Sequence, residues 1–257
     1  MVDWPQTRKY LPRKGVGLMF GDKQNYVGQF YQWAGHRLLG GELSLNENGD
    51  ICLWKEHRSI EVKSSGYLSS YGFRCHREQI EEYERMSCFP FEGVWYVFFS
   101  YRNRSLVGED GKRHTEFAKH TTPLEVNQYL ANTTLWCTIV DLSIISRWNV
   151  VKPVSTKSVV GHLGRETVNI KCWEVARLTN GGFKYTLEGL GLDSADFGIL
   201  TGKVAMVVEP DLLAKYHMKF QLNVVLPREE LRVAKRLFWR RKFRLKEVKD
   251  MIPVGFC

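Results

Sequence analysis

Nine residues, Gly93–Tyr101 (GVWYVFFSY), form an almost uninterrupted apolar and aromatic run. The run is too short to cross a bilayer as a helix, which takes about 20 apolar residues. It suits a strand buried on both faces. Such a strand has no wet side, so it needs packed layers above and below it, and this points to an α/β arrangement. Thr134–Val140 is a second buried-strand candidate, and Leu142–Trp148 adds a turn of helix after it.

The segments before this run supply the layers. Tyr26–Leu39 reads as a helix, because Val27, Phe30, Tyr31, Ala34 and Leu38 recur at three- and four-residue steps; Gly40-Gly41 stops it. Short strands are expected over Glu42–Leu45, Asp50–Trp54 and Ser59–Ser64. They are separated by the turn Asn46–Gly49 and the polar connection Lys55–Arg58. A loop is expected over Ser65–Phe73 and another over residues 103–120. Arg77–Met86 is helical, with Ile80, Tyr83 and Met86 on one side. The expected order is helix, three strands, helix, strand, strand, with a mixed sheet.

Pro153 and the polar stretch Ser155–Ser158 suggest a boundary. The expected organisation is a basic segment over 1–25, a core domain over 26–150 and an accessory domain over 151–257. Beyond the boundary, Thr167–Val175, Gly202–Val208 and Leu222–Leu226 read as strands. Gly181-Gly182 and Glu188–Gly202 read as turns, and Arg228–Asp250 as a charged helix.

The chain of 257 residues is long enough for one large or two small domains. Its 37 Lys and Arg against 28 Asp and Glu give a formal charge of +9, which fits a polyanionic partner, nucleic acid before an anionic membrane. No stretch is apolar for long enough to span a membrane, and MVDWPQTRKY lacks the apolar core of a signal peptide. The six cysteines lie far apart without a Cys-x-x-Cys pair, so a zinc knuckle or redox pair is not indicated and a reducing, cytoplasmic setting is expected. Cys52 and Cys137 read as core residues. Gly15-x-Gly17 has only part of a phosphate-loop pattern.

The segment with chemical content is Gly49-Asp50-Ile51-Cys52-Leu53 followed by Ser59-Ile60-Glu61-Val62-Lys63-Ser64-Ser65. Side chains alternate along a strand, so Glu61 and Lys63 share one face while Ile60 and Val62 share the other. Two opposite charges on one face of a buried strand suit a site better than a core. If the two strands pair, Asp50 comes near Glu61. Paired carboxylates suit Mg²⁺, an oxygen-seeking cation that keeps water and takes substrate phosphate. A lysine beside them stabilises charge developing on a phosphate.

These residues resemble the PD-(D/E)xK nuclease superfamily, and within it the archaeal-type Holliday-junction resolvases and related phage or uncharacterised endonucleases. The resemblance covers roughly residues 25–150 and implies a restriction-endonuclease-like fold. It implies Asp50 and Glu61 as metal ligands, the Val62 backbone carbonyl as a further ligand, and Lys63 as the catalytic lysine. Gln79 matches a polar helix residue that positions the lysine or substrate, and Ser64 and Ser65 match small polar residues that touch a phosphate. Gly49 stands where the motif has proline. The first helix offers Gln29 where many resolvases carry a glutamate ligand, and Glu42 on the following strand is a possible substitute.

Arg228–Asp250 holds ten Lys and Arg against four acids, so two-thirds of the chain's excess charge lies there. Arg240, Arg241 and Lys242, interleaved with Trp239 and Phe243, are candidate phosphate contacts of a sequence-independent, salt-sensitive kind. Tyr67, Tyr71 and Phe73 either stack on bases or cover the sheet, and His57 and His76 read as surface or loop residues. The expected function is a Mg²⁺-dependent DNA endonuclease, with Mn²⁺ able to substitute, acting as a possible homodimer without a membrane or a small-molecule cofactor. Two alternatives are a non-catalytic nucleic-acid-binding protein with a nuclease-like fold and an interaction protein with a solvated charged strand.

Overall fold

The apolar run of the sequence becomes the middle of a sheet. The computed structural model describes residues 20–44, 49–67, 69–86, 91–102, 105–107, 113–115, 135–156, 165–207 and 217–240. Helix α1 (Phe20–Leu39) leads into β1 (Glu42–Leu43), β2 (Ile51–Leu53), β3 (Arg58–Gly66) and β4 (Phe73–His76). Helix α2 (Arg77–Met86) follows, then β5 (Gly93–Tyr101), the hairpin β6 (Ser105–Val107) and β7 (Arg113–Thr115), β8 (Leu135–Asp141) and α3 (Leu142–Val151). The remainder is β9 (Val154–Ser155), β10 (Thr167–Ile170), α4 (Cys172–Arg177), α5 (Phe183–Gly189), β11 (Phe197–Val207), β12 (His217–Pro227) and α6 (Arg228–Arg240).

Seven strands form one mixed sheet in the order β1-β2-β3-β5-β8-β12-β11. The β3/β5 and β8/β12 pairs are parallel and the others antiparallel. Alternation along β5 explains why the sheet needs both layers. Trp95, Val97, Phe99 and Tyr101 pack with Phe30, Tyr31, Ala34 and Leu38 of α1 and with Ala234 and Leu237 of α6. Val94, Tyr96 and Phe98 pack on the other face with Ile80 and Tyr83 of α2, Ile144, Ile145 and Trp148 of α3, and the apolar side of a small β4-β10-β9 sheet.

The structure departs from the sequence reading in several places. The expected accessory domain over 151–257 is not separate: β12 pairs with β8 and β10 with β4, so the later residues complete both sheets. The expected strand Thr167–Val175 ends at Ile170. Glu174 reaches back to the Lys171 amide (2.7 Å) and satisfies the first turn of α4. Part of the expected turn Glu188–Gly202 is strand, because β11 runs beside all eleven residues of β12. Strand β4, the β6–β7 hairpin and helix α5 were not expected, whereas α2 and β5 lie where the pattern placed them. Of the expected basic segment 1–25, residues 20–25 belong to α1, which starts six residues before the expected Tyr26, while residues 1–19 with Gly15-x-Gly17, and the expected extension of the basic helix past residue 240, lie outside the described residues.

Candidate functional site

The site forms where β2 starts late against β3. Gly49 has φ +87°, and a Cβ there would lie 2.4 Å from Ser59 Oγ and 2.9 Å from the Ile60 carbonyl. Glycine thus lets the chain press against β3 in a left-handed conformation. The Asp50 amide then donates to the Ile60 carbonyl (2.8 Å). Because β2 begins at Ile51, the next edge amide of β3, that of Val62, meets no strand; Asp50 Oδ2 accepts from it at 2.7 Å. Gln32 of α1 donates to Asp50 Oδ1 at 2.5 Å. The N–H and C=O of one strand residue leave on the same edge, so the Val62 carbonyl faces the Asp50 side of β3.

On the α2 side of β3, Glu61 is buried and Lys63 is half-buried. Four hydrogen bonds close a ring. Lys63 Nζ donates to Glu61 Oε1 and to Gln79 Oε1 (3.2 Å); Gln79 Nε2 donates to Tyr83 Oη (2.9 Å); and Tyr83 Oη donates to Glu61 Oε2 (2.6 Å). Gln79 and Tyr83 are four residues apart on α2, so both face β3. The ring fixes both partners of the ion pair, as a buried pair requires.

Burial, reinforced by the Glu61 charge, pushes the Asp50 carboxyl up to about 8, against the opposing pull of Lys63 and the Val62 amide. Burial works against the charge on Lys63, but Glu61 and Asp50 outweigh it and hold the ammonium above its ordinary range. Desolvation raises Cys75, on the neighbouring β4, to about 12, so it stays a neutral thiol. The Tyr83 hydroxyl is raised by burial and by Glu61, which keeps it a donor.

Asp50, Glu61, Lys63 and Gln79 come together with the edge of Val62. Other candidates do not join them. Glu42 is exposed and accepts from the Trp54 indole (3.0 Å). Gln32 of α1 reaches Asp50; the side chain of Gln29 lies outside the described ones. Ser65 is buried and donates to the Gly66 carbonyl (3.2 Å), while Ser64, half-buried, belongs to the opposite face of the strand. Arg240 ends α6 with its side chain not described, and Arg241 and Lys242 lie outside the described residues. His57 is exposed and His76 half-buried. Phe73 belongs to the core and Tyr67 packs on Trp136 (5.8 Å), leaving Tyr71 as the exposed ring of its loop.

Tyr83 and Gln32 are the site residues the sequence did not single out. The four-residue spacing from Gln79 is the signal for Tyr83; the sequence offers no signal for Gln32.

The donor set fits a hard divalent cation. Among the described residues, no group of three or more His, Cys, Asp and Glu side chains converges. Two carboxylates, a main-chain carbonyl and water match what Mg²⁺ accepts. Each carboxylate oxygen of Asp50 and Glu61 has one protein donor and keeps further lone-pair capacity when ionised. No family model, curated protein or solved structure matches the chain.

Proposed function

We propose that the protein is a divalent-metal-dependent DNA endonuclease with a restriction-endonuclease-like core. The observation that carries this reading is Asp50 at the open edge of β3 and Glu61 on the α2 face of the same strand, near enough to act on one another's charge, with a charged Lys63 locked beside Glu61. The order α1, β1–β3, α2 and β5 is similar to that of the superfamily the motif resembles, with β4 added before α2.

Asp50, Glu61 and the Val62 carbonyl would hold the cation. When bound, such an ion supplies Lewis acidity toward a phosphate and lowers the pKa of water. The chain's own residues do the rest. Lys63 remains an ammonium and presents positive charge where a phosphodiester gains negative charge. Gln79 orients Lys63, and Tyr83 holds the Glu61 carboxylate so that its free lone pairs point in a constant direction. Val62 and Gln32 do the same for Asp50.

The test is a cleavage panel of branched, nicked, linear and single-stranded DNA, plus RNA, with Mg²⁺ or Mn²⁺. Lys63→Ala is expected to lower cleavage by about 100-fold or more while leaving DNA binding in EDTA intact. Binding without cleavage of any substrate under either metal would reject catalysis in favour of a nucleic-acid-binding role.

A further inference from the structure

Exposed aromatic and basic side chains gather at one end of the small β4-β10-β9 sheet. Strands β4 and β10 are antiparallel, with Phe73 opposite Ile170, so the start of β4 and the end of β10 share that end. The chains touch there. Gly72 has φ +68°, and a Cβ on it would lie 2.3 Å from the Ile170 carbonyl oxygen. Lys171 Nζ donates to the Ser70 carbonyl, tying the chain that leaves β10 to the turn that enters β4.

Two exposed aromatic rings flank this junction. Tyr71 is 45% exposed and Trp173 is 48% exposed. Each is stacked by an arginine: Arg74 Cζ lies 4.5 Å from the Tyr71 ring centroid and Arg177 Cζ 4.7 Å from that of Trp173. Among the described residues, Arg74, Lys171 and Arg177 make no ion pair. The nearby acid, Glu174, is committed to Lys152 (2.6 Å) and to the Lys171 amide (2.7 Å). Asn169, opposite Arg74, has a buried Oδ1 without a hydrogen-bond partner.

We infer that Tyr71 and Trp173, with Arg74, Lys171 and Arg177, form a platform for single-stranded DNA. Flat rings offer stacking to any base, and unpaired cations beside them meet the phosphates. A duplex hides its base faces and gains nothing from the rings. The stacked arginines are already oriented, so less side-chain freedom is lost on binding. The choice of DNA rests on the nuclease reading. The platform itself does not, because Asp50, Glu61 and Lys63 take no part in it.

The test is fluorescence anisotropy in EDTA, with labelled oligo-dT of about 12 nucleotides, within the site sizes of such surfaces, and a duplex of equal length. The unmodified protein is expected to bind the single strand more tightly than the duplex. Tyr71→Ala and Trp173→Ala are each expected to weaken oligo-dT binding about tenfold, the scale of one lost stacking contact. Tyr71→Phe and Trp173→Phe, which keep a ring, retain binding. Arg177→Ala is expected to reduce the salt slope of log K by about 0.7. Tyr185→Ala, at another exposed ring, is the control.

Equal binding by the alanine variants with unchanged thermal melts, or a preference for duplex, would overturn the platform. Ring-dependent binding without cleavage under any metal keeps the platform and rejects the nuclease. Cleavage with ring-independent binding does the reverse.

Discussion

Asp50 sets the clearest expectation at the scale of single residues. In the fold its carboxyl is raised to about 8 by burial and by Glu61, against a usual value of 3.8. An acid raised in this way keeps its proton while the unfolded chain has already released it. The unfolded state therefore binds fewer protons between those two values, and stability without a cation falls as pH rises through that window. Asp50→Asn cannot ionise; it is expected to flatten this slope and to abolish cleavage. Urea unfolding in EDTA at about pH 5 and about pH 8 measures the slope, and a slope equal in both proteins would contradict the assignment. Tyr83→Phe removes the donor to Glu61 Oε2 and the acceptor of Gln79. It is expected to cost about 1.5–3 kcal/mol of stability, as for hydrogen bonds to charged groups, and to lower kcat more than it raises KM. Denaturant melts and steady-state kinetics on a cleaved substrate check both.

The connection between strand β3 and helix α6 dominates at the scale of elements. Arg58, buried at the start of β3, donates through Nε to Glu230 Oε2 (2.8 Å) and through Nη2 to Glu230 Oε1. Its Nη1 reaches the His57 carbonyl (2.9 Å) and Glu92 (3.1 Å), and the Trp95 indole also donates to Glu230 (3.2 Å). A two-pronged guanidinium–carboxylate pair thus joins the strand that carries Glu61 and Lys63 to the first turn of the basic helix. Glu230 also sits well at that helix N-terminus. Glu230→Ala leaves Arg58 buried and short of partners, so a loss of about 3–5 kcal/mol is expected. Replacing both, with Arg58→Met and Glu230→Leu, is expected to recover most of it. Thermal denaturation of the single and double variants measures the difference, and a loss in the double variant as large as in the single would show that the pair is not the cause.

The two sheets bind the chain into one cooperative unit at the scale of the whole molecule. Strand β12 fills the place beside β8, and β10 lies between β4 and β9. Removing everything after residue 156 would strip β8 of a parallel partner and uncover Cys137, Ile139 and Val140, which are fully buried. The shortened chain is expected to lack a cooperative unfolding transition and to aggregate. A soluble 1–156 fragment with a sharp melt would show instead that the first half folds alone.

Local periodicity was enough to find α2 and β5, and the alternation of Ile60, Glu61, Val62 and Lys63 was enough to put the two charges on one face. Those features depend only on the spacing of residues along one element, which a sequence displays directly. Tertiary structure alone decided the rest. Gln32 meets Asp50 because the rotation of α1 over the sheet is set by Phe30, Tyr31 and Ala34 packing on β5. Tyr83 becomes a site residue because α2 lies under β3, and Tyr71 and Trp173 come to the same end of the small sheet because β4 pairs with β10 across almost 100 residues of chain. The sequence marks which faces must be buried, but contacts between distant elements are selected by how those faces pack together, and no local pattern carries that choice.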